Sequence, residues 1–263
     1  FDYAYVARQH AKAVALGKID TFDQELMLRI MSEDDRLIED AHIRWYRRES
    51  LMKHPSRYNF YITTDFATSV TESSDFSFLS VWALNNKGYW YWVDGVCVRQ
   101  TMDKNIDDLF RLAQAYRPQQ VGIEVSGQQG GFIPWIQNEM LERNVFFALA
   151  SENNSRQPGI RPNTNKLQRF SLVVPIIKAG RFYLPEEMRE TVAVSEMVDE
   201  LRLASPGGFR SRHDDALDTI SQIASLEAWR PEESVAMRQN DTSGVWEEDD
   251  EDEIGGGFES YIV

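Results

Sequence analysis

The sequence predicts an α/β protein: a mixed five-stranded sheet flanked by helices. Two patterns carry that expectation. Three β-rich runs follow one another between residues 58 and 98, and beyond them short apolar strand-like runs alternate with helical ones. A third observation concerns chemistry. Asp65 and Glu124 end strand-like runs, and Asp214, Asp215 and Asp218 open the last helical segment.

Residues 1–57 read as a helical arm, with apolar residues at Leu26, Ile30 and Leu37 and a helix start where Ser32 precedes Asp34 and Asp35. The mixed charge of IRWYRRESLMK predicts an exposed helix. This segment is too short for a large core of its own, so it reads as a linker from a preceding region. Beginning at Phe1, the chain reads as part of a longer polypeptide. Residues 58–230 form the expected folded domain. Its first three strands, YNFYITTDFA, DFSFLSVWAL and GYWYWVDGVCV, are separated by the turn-like SVTESS and NNKG and predict an antiparallel meander. The helical run DKNIDDLFRLAQAYRP, the strand QQVGIEV, a helix around FIPWIQNEMLER and the strand VFFALAS then add parallel units.

After the polar loop SENNSRQPGIRPN, the run TNKLQRFSLVVPIIKAG predicts a helix that Pro175 kinks or ends. RFYLP is a short strand or extended piece, EMRETVAVSEMVDELRLA a long helix and HDDALDTISQIASLEAW the last one. Between those two helices SPGGFRSR reads as a flexible basic loop. Residues 231–263 are acidic and Gly-rich, which predicts a disordered tail.

Charge and cysteine content narrow the chemistry. The formal charge is −14, but eleven acids against the single base Arg238 put −10 of it in the tail and leave the rest of the chain at −4. A locally basic nucleic-acid face is therefore compatible with the composition. Cys97 is alone, which excludes an internal disulfide and a zinc thiolate cluster and favours a reducing, cytoplasmic setting. His10, His42, His54 and His213 are dispersed without metal-ligand spacing. No apolar run approaches the length of a membrane span, and no phosphate-binding G-x-x-x-x-G-K-[ST] loop is present.

Each acidic position has a plain alternative. An Asp after two threonines can simply end a strand, and Asp214 and Asp215 suit a helix N-terminus. Glu124, however, interrupts VGIEV, where a carboxylate facing the core is costly without a partner. Asp214, Asp215 and Asp218 share one face of a single turn, where like charges are unfavourable without a counter-ion. Three acidic sites at strand ends and a helix start match the edge at which α/β sheets bind ligands. Crowded carboxylates there suit divalent cations and phosphodiester chemistry.

The ordered series TDFA, DFSFLSVWAL, IEVSG, NKLQRF with IIKAGRFYLP, and HDDALD resembles the nuclease domain of tailed-bacteriophage large terminase subunits, within the ribonuclease H-like superfamily. The resemblance covers roughly residues 58–230. It implies an endonuclease that cuts concatemeric viral DNA during packaging with two Mg²⁺ or Mn²⁺ ions. Asp65, Glu124, Asp214 and Asp215 would then hold the metals, with Asp218 a weaker ligand and Asp75 an auxiliary acid or simply a turn residue. His213 would orient a ligand or touch the scissile phosphate, and Lys166 would contact phosphate; a solvent-exposed His and a solvated Lys are the plain alternatives. Arg156, Arg161, Arg169, Arg210 and Arg212 are expected to grip the DNA backbone. Implied partners are double-stranded DNA, the portal protein, the small terminase subunit and an upstream ATPase region, all in the host cell cytoplasm. A junction resolvase or integrase of the same fold, or a non-catalytic DNA- or portal-binding module, are the competing readings.

Overall fold

The computed structural model describes residues 36–67, 76–125, 131–211 and 213–232. Asp75, Arg212, the predicted arm before Arg36 and the predicted disordered tail beyond Glu232 lie outside the described residues, as do 126–130 of the Gly-rich stretch. Among the described residues no helix is long and apolar enough to cross a membrane.

A six-stranded mixed sheet, one strand more than expected, organises the chain. In chain order its strands are β1 (Arg44–Tyr46), β2 (Tyr58–Asp65), β3 (Ser77–Asn85), β4 (Trp90–Val98), β5 (Gln120–Ile123) and β6 (Phe182–Pro185). In space they run β1-β6-β4-β3-β2-β5. The predicted meander is present, with β3 antiparallel to both β2 and β4. Parallel strands extend it at both sides: β5 beside β2, and β6 beside β4 with β1 beyond.

Several local expectations are corrected. The run IRWYRRESLMK is not one exposed helix; it contains β1 and the short helix α1 (Arg48–Met52). Arg48 explains the change of direction, since its guanidinium donates to Val93 O at 2.6 Å and Tyr116 Oη at 2.7 Å, pinning the chain against the sheet. RFYLP, expected as a short strand or extended piece, forms β6, with the side chains of Phe182 and Leu184 buried in the core. VFFALAS, in contrast, does not form a strand: only Leu149 bridges to Val121. The outer edge of β5 is instead shared by two pieces of chain, Ala148 with Ala150, and Ile160. Between them Gly159 has φ +104°, and a Cβ there would stand 2.1 Å from Val125 Cγ1.

Alternation along the strands divides the core into two layers. Tyr61, Phe78, Trp82, Trp92, Phe182 and Leu184 face α4 (Lys166–Lys178), α5 (Val192–Leu203) and α6 (Asp215–Ser221). Ile62, Leu79, Val81, Val121 and Ile123 face α2 (Met102–Tyr116) and α3 (Phe132–Arg143). The helix α4 continues through Pro175 to Lys178. The predicted long helix is broken into a 3-10 turn, Glu186–Met188, and α5. The predicted flexible loop SPGGFRSR contains a tight hairpin instead, with Ala204–Ser205 (β7) paired to Gly208–Phe209 (β8).

A polar chain crosses the first core layer. Trp82 Nε1 donates to Thr63 Oγ1 at 2.7 Å, Trp92 Nε1 donates to Ser80 Oγ at 3.0 Å, and Ser80 Oγ lies 3.0 Å from Thr219 Oγ1. Beside it, Gln222 Nε2 donates to Thr64 O at 2.8 Å. Together these bonds seat α6 and the turn after it across β2 and β3. Replacing Thr63 by Val strands the buried Trp82 N–H at nearly constant volume, and is predicted to cost about 1–3 kcal/mol in urea unfolding.

Candidate functional site

The register of β2 with β5 creates the site. Tyr61 pairs with Gln120, Thr63 with Gly122, and Thr64 with Ile123, the last pair of the ladder. One step further along both strands stand Asp65 and Glu124, side by side on the face covered by α4, α5 and α6. Gly122 lets that cover approach, since a Cβ there would lie 2.9 Å from Gln222 Oε1 and 3.0 Å from Ile160 Cδ1. Ile160 also bridges to Glu124, fixing the backbone past the strand end.

From the opposite side α6 delivers its first turn. Asp215 is buried and its Oδ2 accepts from Phe76 N at 2.9 Å, tying the helix to the start of β3. Asp218, one turn on, is equally buried. Asp214 sits in the N-cap position without a side-chain capping bond. Its Oδ1 instead accepts from Lys166 Nζ at 2.9 Å. Lys166 begins α4, where Asn165 caps the helix by accepting from Gln168 N at 2.8 Å. The same ammonium lies 2.5 Å from Asp218 Oδ2. Arg169, three residues on, reaches Asp218 Oδ1 at 3.2 Å and Glu124 Oε2 at 3.3 Å.

Electrostatics follow from this crowding. Burial holds the Asp65 carboxyl well above the usual range, and Asp218, Asp215 and Glu124 push it further while Lys166 opposes them. Burial also raises Asp218, with Lys166 and Arg169 opposing and Asp214 adding to the rise. Burial alone would lower Lys166, yet Asp218 and Asp214 hold its ammonium above the ordinary value. Two cations therefore offset part of the negative charge, and Asp65 still bears the remainder.

Of the remaining predicted residues, His213 is mostly buried, with Nδ1 4.0 Å from Asp215 Oδ2 and its ring edge-on to Phe76 at 5.1 Å. Arg156, Arg161 and Arg210 are exposed. Arg161 directly follows Ile160, at the rim beside Glu124. Arg169 belongs to the acidic cluster itself rather than to an outer basic surface, being only 14% exposed at its side chain.

Sequence reasoning missed two contributors. Arg99 lies 3.8 Å over the Phe76 ring, with Nη2 3.4 Å from His213 Nε2, and so braces the segment leading into α6. Glu200 in α5 is buried and accepts from Leu217 N at 2.9 Å. Burial pushes its carboxyl up to about 8, the N–H groups of Leu217 and Ala216 oppose the rise, and Asp215 and Asp214 add to it. A signal for Glu200 does exist: it falls among Met197, Val198 and Leu201 on the apolar side of α5, a costly position for an acid.

The acidic donors are hard oxygen ligands of the kind that Mg²⁺ and Mn²⁺ take, and the crowding of acids around Asp65 suits a cation. Among the described residues, however, no three His, Cys, Asp or Glu side chains form a ready metal cage. The donor chemistry fits a hard divalent ion, and Lys166 and Arg169 occupy part of the same carboxylate surface.

Fold and site together define a ribonuclease H-like α/β domain with an acidic sheet end. Among solved structures the chain is similar to the human cytomegalovirus terminase nuclease domain, Mn-soaked and inhibitor-bound, with TM-score 0.51, 11% identity and coverage of 77% of this chain and 98% of that one. A second structure of that viral domain gives TM-score 0.51 at 11% identity, covering 76% and 98%. The large terminase nuclease of thermophilic phage G20c with bound cobalt also matches, at TM-score 0.42 and 17% identity over 62% of this chain and 79% of that one. No protein family and no curated protein matches the sequence. The cytomegalovirus likeness spans nearly the whole viral domain, and the fold of this chain is terminase-nuclease-like.

A pH dependence follows. Asp65, Asp218 and Glu200 have folded values above their unfolded ones, so the folded state binds more protons and loses stability as pH rises between about 4.5, the ordinary carboxylate value, and about 8, the Glu200 value. The metal-free protein should melt at a higher temperature at about pH 5.5 than at about pH 8. Added Mn²⁺ should raise the melting temperature more at the higher pH, where the carboxylates are ionised. Calorimetry with and without Mn²⁺ checks both.

Proposed function

We propose that this chain is a divalent-metal-dependent DNA endonuclease of viral genome packaging, hydrolysing phosphodiester bonds in concatemeric DNA. The observation that carries this reading is the convergence of acids from β2, β5 and α6 at one end of the sheet, where burial and the neighbouring acids hold the Asp65 carboxyl above its ordinary value. The likeness to a terminase nuclease domain soaked with Mn supports the choice of reaction and of cation.

On this reading Asp65, Glu124, Asp214, Asp215 and Asp218 hold two Mg²⁺ or Mn²⁺ ions. When bound, these would activate water and stabilise the leaving 3′ oxygen. The protein's own part is geometric. Asp65 stands on a strand bonded on both sides and is the most rigidly placed of the donors. Lys166 and Arg169, now bonded to Asp214, Asp218 and Glu124, would contact the scissile phosphate once cations neutralise those carboxylates. His213, wedged between Arg99, Phe76 and Asp215, orients the Asp215 carboxylate. Arg156, Arg161, Arg210 and Arg212 supply phosphate contacts that are blind to sequence. Asp75, which precedes β3 in the sequence, is an auxiliary acid on this reading. Partners on this reading are the portal protein, the small terminase subunit and an ATPase region, in the host cell cytoplasm.

Two measurements test the proposal. Asp65→Ala should reduce Mn²⁺-dependent cutting of linear duplex DNA to background without lowering the melting temperature at about pH 8, since a repelled carboxyl has been removed; retained cutting would refute the assignment. Neutralising Arg156, Arg161 and Arg210 one at a time should each lower the slope of log affinity against log salt by about one. A slope that does not move would remove those residues from the DNA path.

A further inference from the structure

The first turn of α6 presents three carboxylates while its own backbone N–H groups need acceptors, since the first N–H groups of any helix lack partners within it. Asp214 in the N-cap position makes no capping bond, because its carboxylate is turned to Lys166. The missing acceptor comes from another helix. Glu200, in the last turn of α5 and 2% exposed, reaches across to accept from Leu217 N at 2.9 Å, with the N–H of Ala216 as its second backbone donor.

A buried carboxyl is an expensive cap when a surface Ser or Asn would serve. Its placement explains the choice. The far side of α6 is already fixed by the contact of Thr219 with Ser80 and by the bond from Gln222 to Thr64 O. With only seven residues, α6 has too few internal bonds to set the pitch of its own first turn. That turn is held by the bond from Phe76 N to Asp215 on one side and by Glu200 on the other.

We propose that Glu200 is a positioning residue for the acidic site: by bonding the N–H groups of Ala216 and Leu217 it sets the rotation of the first turn of α6, aims Asp215 and Asp218 at Asp65, and so sets the cation affinity. The inference rests on the reading of the site as a divalent-cation centre. Glu200 acts through the backbone and touches neither cation nor DNA.

The test is calorimetric Mn²⁺ binding to the full chain without DNA, for wild type, Glu200→Gln and Glu200→Asp. Asp keeps the carboxyl group but is one methylene too short to span the gap; Gln keeps the length but offers one oxygen acceptor in place of two. Both folded variants are expected to bind Mn²⁺ about 10- to 100-fold more weakly, the size typical of residues that orient metal ligands. The Mn²⁺ needed for half-maximal cleavage should rise in parallel, with the KM for DNA unchanged at saturating Mn²⁺. Wild-type affinity in either folded variant would overturn the proposal. Normal binding in Glu200→Asp with weakened binding in Glu200→Gln would overturn the proposal in favour of a need for the carboxyl group irrespective of its reach, and failure of both to fold would overturn it in favour of a purely structural role. A wild type that takes up no Mn²⁺ would overturn the nuclease reading itself, a result distinct from any of these.

Discussion

Mutual repulsion among carboxylates at one end of the sheet is the constraint to which the rest of the structure responds. Asp65 and Glu124 are adjacent because β2 and β5 are parallel and in register, and Asp215 and Asp218 meet them because α6 lies across β2 and β3. Without compensation such a cluster would push its elements apart. Lys166 and Arg169, one turn apart at the start of α4, stitch Glu124, Asp214 and Asp218 together. The residual strain is felt at Asp65, where burial and neighbouring acids leave ionisation unfavourable.

The core beneath is correspondingly stiff. Large aromatic side chains, Trp82, Trp92, Phe170 and Phe182, fill the layer under the helices. Both indole N–H groups there are satisfied by hydroxyls on the sheet, so neither ring can shift without stranding a donor. The β3–β4 ladder shifts register between Val81 and Trp82, adding local twist. A site whose donors repel one another needs a frame that does not yield, and this layer provides one.

Much of this was legible in the amino-acid order. Alternation identified the meander, and the positions of Asp65, Glu124 and Asp215 at element ends announced an edge site, because period and punctuation are local properties. What escaped depends on distant partners. VFFALAS has strand-like composition, yet β5 is too short to pair it and Ile160 takes the adjoining position. The segment around Trp45 is a strand only because β6, itself expected as a short strand or extended piece, lies beside it to pair with. Lys166 and Arg169 were visible as basic residues, but their engagement with the acids depends on how α4 docks, which no local pattern encodes. Glu200 left only a faint trace, a charge on an apolar stripe.

The divided outer edge of β5 has a consequence for how such a domain could diversify. The bonds to β5 come from Ala148, Ala150 and Ile160, and Gly159 N to Ala150 O with Arg161 N to Glu152 O closes the two pieces on each other, so the residues looping out between Glu152 and Gly159 bear none of the register. That loop includes Arg156 and returns to the sheet just before Arg161. Insertions or deletions there would reshape the rim while Glu124 stayed in place. On the proposed reading, phosphate contacts and the acidic site could thus drift separately through lineage, one on an editable border and the other on a ladder fixed by its register.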